Sequence, residues 1–410
     1  MVSSAKTVSP SGTRFPALDG LRALAALSVV FTHVGFNSGR SLQVDIFGPV
    51  LSRLDIGVTV FFLLSGFLLY RPFALAAITG AAHPPLFRFF WRRLLRIGPA
   101  LWVMVSLTLL FITTFRVTGT NWFTYLSLIQ TYNHNDYDPN LTQLWTLTVE
   151  VAFYAALPLI ARLAAARTSG VDSAVRRQVV VLAGLAVGAL AFNLLQAHRV
   201  VSNSQALLWF PAYLDWFALG MGLAVLTCIP NTCDIIQPVR RVLGEWADAP
   251  GLCALIAGLC FMLSTLPLGI PRTLAPATFW QWTLQHYLFS TCGFFLMLPM
   301  VLGHSEVLPR VLGSRVGRFG GNISYSVYLW HVPLMLWLQH RLHYSEFHGY
   351  FWELLAVTLL ASIVVASASW LLIEQPILRY GSRPWTRALR APTTVDPPIA
   401  VATTATTHKY

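Results

Sequence analysis

Arg14-Phe15-Pro16-Ala17-Leu18-Asp19-Gly20-Leu21-Arg22 leads into Ala23-Leu24-Ala25-Ala26-Leu27-Ser28-Val29-Val30-Phe31-Thr32-His33, the first long apolar run of the chain. Such a run, about 20 residues in length, crosses a hydrocarbon layer as a helix. Titratable groups are costly inside that layer, so a histidine carried deep into the span and introduced by two arginines and an aspartate marks a functional site. The phrase therefore decides two things together: an all-α membrane fold, and a place to look for chemistry.

Composition extends the reading to the whole chain. Its 410 residues are 55% hydrophobic and only 11% charged, with a mean hydropathy of +0.60, against roughly a quarter charged in soluble domains. Apolar runs long enough to span fall near 17–36, 55–70, 97–115, 144–162, 178–197, 209–228, 251–268, 281–302, 322–340 and 352–373. The expected fold is a polytopic bundle of about ten transmembrane helices in a multi-pass inner or plasma membrane protein.

Basic residues orient the bundle. With the N-terminus cytoplasmic, all Lys and Arg fall on cytoplasmic segments except Arg40, Arg53, Arg116, Arg199, Arg272 and Arg341, the bias expected of cytoplasmic loops. Both termini are accordingly cytoplasmic. The net charge of +12 lies along one membrane face against anionic headgroups, so the lipid bilayer accounts for it and nucleic acid is not implied. The first apolar run carries His33 and is followed by Phe36 and Asn37 rather than a small-residue cleavage site, so it reads as a retained span and not a signal peptide. Residues 1–13 and 381–410 read as disordered cytoplasmic tails flanking a transmembrane domain over 14–380, with no appended soluble domain. Five cysteines without paired spacing indicate neither a disulfide framework nor a metal site.

Chemistry-bearing residues concentrate in a few runs. In the second span, Phe61-Phe62-Leu63-Leu64-Ser65-Gly66-Phe67 sets a small pair about ten residues deep, which either makes room for a substrate or lets helices pack closely. Phe87-Arg88-Phe89-Phe90-Trp91-Arg92-Arg93-Leu94-Leu95-Arg96 sets Arg93 and Arg96 on one helical face at i, i+3. Guanidinium groups bind phosphate bidentately, so this segment is either a dock for a phosphorylated ligand or an interfacial helix held by lipid phosphates.

Glu150 lies about two turns inside the outer edge of the fourth span, and His33 is in the outer half of the first. The expectation is that Glu150 reaches His33, fixes its tautomer and raises the basicity of the other ring nitrogen. Ser324, Tyr328 and His331 share a face of the ninth span, and His331 is expected at a depth similar to Ser65, which suggests a shared polar cavity. Glu374, before Gln375-Pro376, is expected to pair structurally with an inner-face arginine.

Taken in order from residue 14 to 376, these pieces resemble the membrane-bound acyltransferase-3 family of O-acyltransferases. The matching motifs are Arg-x-x-x-Leu-Asp-Gly-Leu-Arg with a histidine at the far end of the first span, Phe-Phe-x-x-Ser-Gly-Phe, and Arg-x-x-Arg. Trp-Thr-Leu-x-Val-Glu-x-x-Phe-Tyr, Ile-Ser-Tyr-Ser-x-Tyr-Leu-Trp-His-x-Pro and a terminal Glu-x-Pro complete the set. Ala23 departs from the glycine many relatives carry after the opening motif, a difference touching helix packing more than chemistry.

The resemblance implies transfer of an acyl group, usually acetyl from acetyl-CoA, to a hydroxyl of a sugar, lipid-linked glycan or natural product (EC 2.3.1.-), by a stand-alone member of the family. Acyl-CoA is then a donor substrate, with no permanently bound cofactor and no metal. By that likeness His33 is the catalytic histidine, and Arg14, Arg93 and Arg96 handle the donor, with Arg22 of the same opening phrase grouped with them. The mechanism expected is general-base catalysis by His33 oriented by Glu150, with Ser65, Tyr325 or His331 stabilising the oxyanion or meeting the acceptor. The alternative is a proton-coupled transporter or lipid flippase relaying protons through His33, Glu150, Asp215 and His331.

Overall fold

A computed structural model describes residues 15–113, 117–132, 138–165, 169–197, 206–230, 233–266 and 278–381. The helices are α1 (Ala17–Asn37), a short α2 (Phe47–Ser52), α3 (Ile56–Thr79), α4 (Leu86–Phe111), α5 (Gly119–Leu126), α6 (Leu144–Ala165), α7 (Val171–Ala197) and α8 (Leu214–Cys228). They continue as α9 (Gln237–Ala247), α10 (Pro250–Thr265), α11 (Phe279–Val301), α12 (Val307–Leu312), α13 (Arg315–Arg341), α14 (Phe351–Ser369) and α15 (Gln375–Gly381), with a π-helical turn over Trp370–Glu374. No strand occurs among the described residues. The fold is the expected helical membrane bundle. Both predicted tails, 1–13 and nearly all of 381–410, lie outside the described residues, as does Arg14.

Each of the ten predicted runs coincides with a helix, yet length and apolarity together pick out eight, or nine when α9 and α10 count as one span bent by 89°. The remaining helix is α13, whose 27 residues are long enough but carry Arg315, Arg318, Asn322, Ser324, Ser326 and His331. Much of that polar set faces the bundle: Ser324, Ser326 and His331 are all buried. The segment before residue 97 also differs from the sequence expectation. Leu86 to Phe111 form one continuous helix, so Arg93 and Arg96 ride on the spanning helix itself rather than on a separate interfacial piece.

Helices α3, α6 and α8 form the centre, while α7 and α14 turn most of their apolar surface outward toward lipid. Stacked rings bind the centre together: Phe153 of α6 lies on Phe217 of α8 at 4.1 Å, and Phe217 on Phe62 of α3 at 4.8 Å. Helices α3 and α8 approach so closely that a Cβ on Gly66 would stand 2.3 Å from the Phe217 carbonyl oxygen, and one on Gly220 would stand 2.0 Å from that of Leu63. Without a hydrophobic drive between helices in lipid, such small-residue contacts let dispersion hold the pair. At the α1–α13 contact, Gly320 leaves the space that the Ala23 methyl group fills, 2.8 Å from where a Gly320 Cβ would sit. The alanine is accommodated across the interface.

A proline tunes the site helix. Pro333 lies inside α13 and has no N–H to give the carbonyl one turn back, at Leu329. Gln143 Nε2 donates to that carbonyl at 2.9 Å, so the freed acceptor is satisfied by a neighbour, as burial in hydrocarbon requires.

Candidate active site

Five helices converge on a cavity in the half of the bundle where α1, α4 and α13 begin. Helix α1 supplies Arg22, α3 Ser65, α4 Arg93 and Arg96, and α6 Glu150 and Tyr154. Tyr325 and Tyr328 of α13 close it. Helical spacing explains the convergence, since Arg93 with Arg96 at i, i+3 and Glu150 with Tyr154 at i, i+4 each share one face. Its empty space, counting what is open to solvent, is about 720 Å³. A wider mouth of about 1110 Å³, bordered by Arg92, Leu378 and Gly381, adjoins it and shares Arg22, Ser65, Arg93, Arg96, Glu150 and Tyr154.

The wall is strongly cationic, with the guanidinium groups of Arg22, Arg93 and Arg96 and, among the described residues that line it, one carboxylate, that of Glu150. Arg93 Nε is buried and has no hydrogen-bond partner among the described residues. Arg96 Nη1 is 3.2 Å from Glu374 Oε2, the inner-face pairing expected for that carboxylate. A cluster of guanidinium donors with few carboxylates beside it has the chemistry to hold phosphate oxygens.

Glu150 does not face His33. Its Oε1 accepts from Ser65 Oγ at 2.7 Å and from Tyr154 Oη at 2.6 Å, so the expected Glu150–His33 pair is corrected to a Glu150–Ser65–Tyr154 cluster on the cavity floor. Glu150 lines the arginine cavity beside Arg22, whereas His33 lies eleven residues further along α1, so the two differ in level along the bundle as well as in direction around their helices.

His33 meets His331 instead. His33 Nδ1 lies 2.9 Å from the Val29 carbonyl oxygen and 3.2 Å from His331 Nε2, and the two rings meet edge to face with centroids 4.9 Å apart. His331 Nδ1 is 2.6 Å from the Tyr328 carbonyl oxygen. Carbonyl oxygens only accept, so both Nδ1 atoms carry protons. His331 Nε2 is then the acceptor toward His33 Nδ1–H, and His33 Nε2 is left with its lone pair and no partner among the described residues. The chain Val29–His33–His331–Tyr328 does for the tautomer what Glu150 was expected to do.

Neither histidine lines the cavity; Tyr328 connects the two regions. It borders the cavity, its ring is 5.6 Å from that of His331, and its hydroxyl meets Thr146 Oγ1 at 2.7 Å and donates to the Gln143 carbonyl at 3.2 Å. Tyr325 is not free to stabilise an oxyanion, because its hydroxyl proton goes to the Ile97 carbonyl at 2.9 Å; its ring flanks Arg96. His331 is fully buried and acts on His33 rather than on open space.

Asp215 takes a different partner from the relay sequence reasoning entertained: its Oδ2 is 2.7 Å from His286 Nε2, both residues being buried. His286 is stacked between Trp216 at 4.4 Å and Trp282 at 4.5 Å. Sequence reasoning missed His286 and Tyr154 as the partners of Asp215 and Glu150, and named Tyr328 only for the face it shares with Ser324 and His331. A titratable residue inside the apolar run 281–302 was the available signal for the first; buried tyrosines in spans carry none beyond their hydroxyls.

Residues 15–374 match the family model described as an acyltransferase domain. The chain is 24% identical over 390 residues to a putative peptidoglycan O-acetyltransferase of Bacillus subtilis, YrhL, covering 91% of this chain and 56% of that protein. It is 20% identical over 381 residues to the O-acetyltransferase OatA of Staphylococcus aureus, covering 89% of this chain and 57% of that one. A putative membrane-bound transacylase of Komagataeibacter xylinus, BcsY, is 27% identical over 389 residues, 89% of this chain and 83% of its own length. The chain thus spans little more than half the length of the first two relatives. No solved structure matches it.

Proposed function

Because the chain belongs to the acyltransferase family whose domain it carries over residues 15–374, we propose that it moves an acyl group, acetyl by analogy with its relatives, from acyl-CoA to a hydroxyl of a cell-envelope glycan, glycolipid or natural product. The observation that carries this reading is the pairing of an arginine-lined cavity with a histidine whose Nε2 is bare, set toward opposite ends of the same helices.

Phosphates of the donor fit the Arg22, Arg93 and Arg96 wall, with Arg14 left to the sequence expectation, since it lies outside the described residues. Arg22 and His33 are eleven residues apart on α1, about 16 Å along its axis, a length of the order of an extended pantetheine arm. With phosphates at Arg22, a thioester at the end of that arm comes near His33. The charge bias of the loops puts the phosphates on the cytoplasmic side and His33 toward the outer leaflet, so an acceptor enters from the outer face or laterally.

His33 Nε2 removes the proton of the acceptor hydroxyl as that oxygen attacks the thioester carbonyl carbon. The tetrahedral intermediate collapses by breaking the carbon–sulfur bond, and the imidazolium returns the proton to the departing thiolate. General-base help of this kind is worth about 100- to 10,000-fold. Holding the thioester and hydroxyl together supplies the larger part. Ser65 sits on the donor side of Tyr328, where its hydroxyl orders Glu150 against the arginines.

Purified protein in nanodiscs, given acetyl-CoA labelled in the acetyl group and envelope extract, should move label into a glycan or lipid fraction and release free CoA. Mass spectra of a deletion strain's envelope should then lack one acetylated species. No label transfer to any fraction, with an unchanged envelope, would refute the proposal.

A further inference from the structure

The π-helical turn over Trp370–Glu374 interrupts the end of the last long apolar helix and changes which way the chain faces. Leu371 and Leu372 are 54% and 76% exposed, a lipid-facing pair, whereas Glu374 two residues later is 1% exposed. Widened turns of this kind re-aim side chains and are frequent at functional sites. Here the re-aimed pair is Trp370 and Glu374, and both converge on Arg96. Glu374 Oε2 is 3.2 Å from Arg96 Nη1. The guanidinium carbon lies 5.3 Å from the Trp370 ring centroid and 5.7 Å from that of Tyr325. Glu374 is itself fixed: Ser326 Oγ donates to its other oxygen, and Ser326 lies 3.1 Å from Ser369 Oγ.

A buried ion pair is poor evidence of a device for stability, because desolvation offsets the attraction and an apolar pair of similar volume does as well. What the carboxylate does that an apolar side chain cannot is set the plane and position of a guanidinium that also lines the cavity. Arginine is flexible, and its bidentate use depends on a plane held in advance.

We propose that Glu374 is a positioning residue of the donor site. Together with the rings of Trp370 and Tyr325 it clamps Arg96 by one edge, leaving the other nitrogens of the guanidinium turned to the donor's phosphate groups. Glu374 does not touch the donor; it acts through Arg96. The inference rests on the reading that the arginine cavity binds acyl-CoA.

The test is a double-mutant cycle of E374Q and R96A, with acetyl-CoA as the varied substrate. Glutamine keeps the volume and the Ser326 contact but loses the charge. E374Q should raise the apparent donor KM about tenfold, the cost of lost preorganisation, with kcat within about twofold and thermal stability in detergent unchanged. In the R96A background E374Q should add nothing further. A drop in kcat or in melting temperature with donor KM unchanged would make Glu374 a structural residue and overturn the proposal. If R96A raises donor KM and E374Q does not, positioning fails while the donor site stands. If R96A also leaves it unchanged, the donor-site reading has failed, and positioning with it.

Discussion

His331 Nε2 stands 3.2 Å from His33 Nδ1, so the imidazole proposed as the base is oriented by a second imidazole and not by a carboxylate. A neutral partner adds no full negative charge to the dyad. The base is therefore held in its tautomer mainly by geometry, through the Val29 and Tyr328 carbonyls at the two Nδ1 positions.

Removing the base and removing its orienter should differ in degree. His33→Ala should lower transfer by about 100- to 10,000-fold while insertion and folding persist, because one partly exposed ring contributes little to the bundle. His331→Gln should cost less, since Val29 still fixes the His33 tautomer. Transfer rates of the two variants in nanodiscs check this; near-wild-type turnover of His33→Ala would remove it from catalysis.

The arginines should act on the donor alone. Arg93→Ala with Arg96→Ala is expected to raise the apparent KM for acetyl-CoA by about tenfold or more per lost phosphate contact, with the acceptor KM nearly unchanged. Steady-state kinetics varying each substrate in turn decides it. A rise confined to the acceptor would move both residues to the other substrate.

Ser65 and Glu150 share one hydrogen bond, 2.7 Å long, so their substitutions should not add. Ser65→Ala and Glu150→Gln should each reduce kcat/KM for the donor by about tenfold, the scale of a hydrogen bond to a charged group, and the double variant should fall little further. Additive losses, or an effect of Glu150→Gln that vanishes in His33→Ala, would restore the link between Glu150 and His33.

What the chain reveals before folding is set by dimensionality. Spans are one-dimensional, and all ten runs fall on helices; position along a helix is one-dimensional too. Direction around a helix is a second coordinate, fixed by which neighbour packs where. Glu150 was misassigned both on that coordinate and in level, since it lines the cavity with Arg22 rather than standing beside His33. His331, treated separately from His33, is its partner for the same reason. The Ser65–Gly66 pair was open between site and packing, and adjacent residues divide the roles: Ser65 faces the cavity while Gly66 admits the Phe217 backbone. Glu374 was legible as an inner-face partner, but the turn that aims it depends on a single widened loop of backbone that no local propensity announces.

The Tyr328 phenol has a further consequence. If, as proposed, a thioester reaches from one side of the bilayer toward the other, its route is one that protons and ions would also follow, and a living membrane stores its energy in the gradient such a route would drain. Tyr328 stands where the cationic cavity ends and the histidine pair begins, tethered by Thr146 and the Gln143 carbonyl. Proteoliposomes carrying Tyr328→Ala should dissipate an imposed proton gradient faster than wild type, and equal rates would place the barrier elsewhere. On the proposed reading, one aromatic side chain between the cavity and the histidine pair would serve as the electrical insulation of an enzyme that acylates across a membrane.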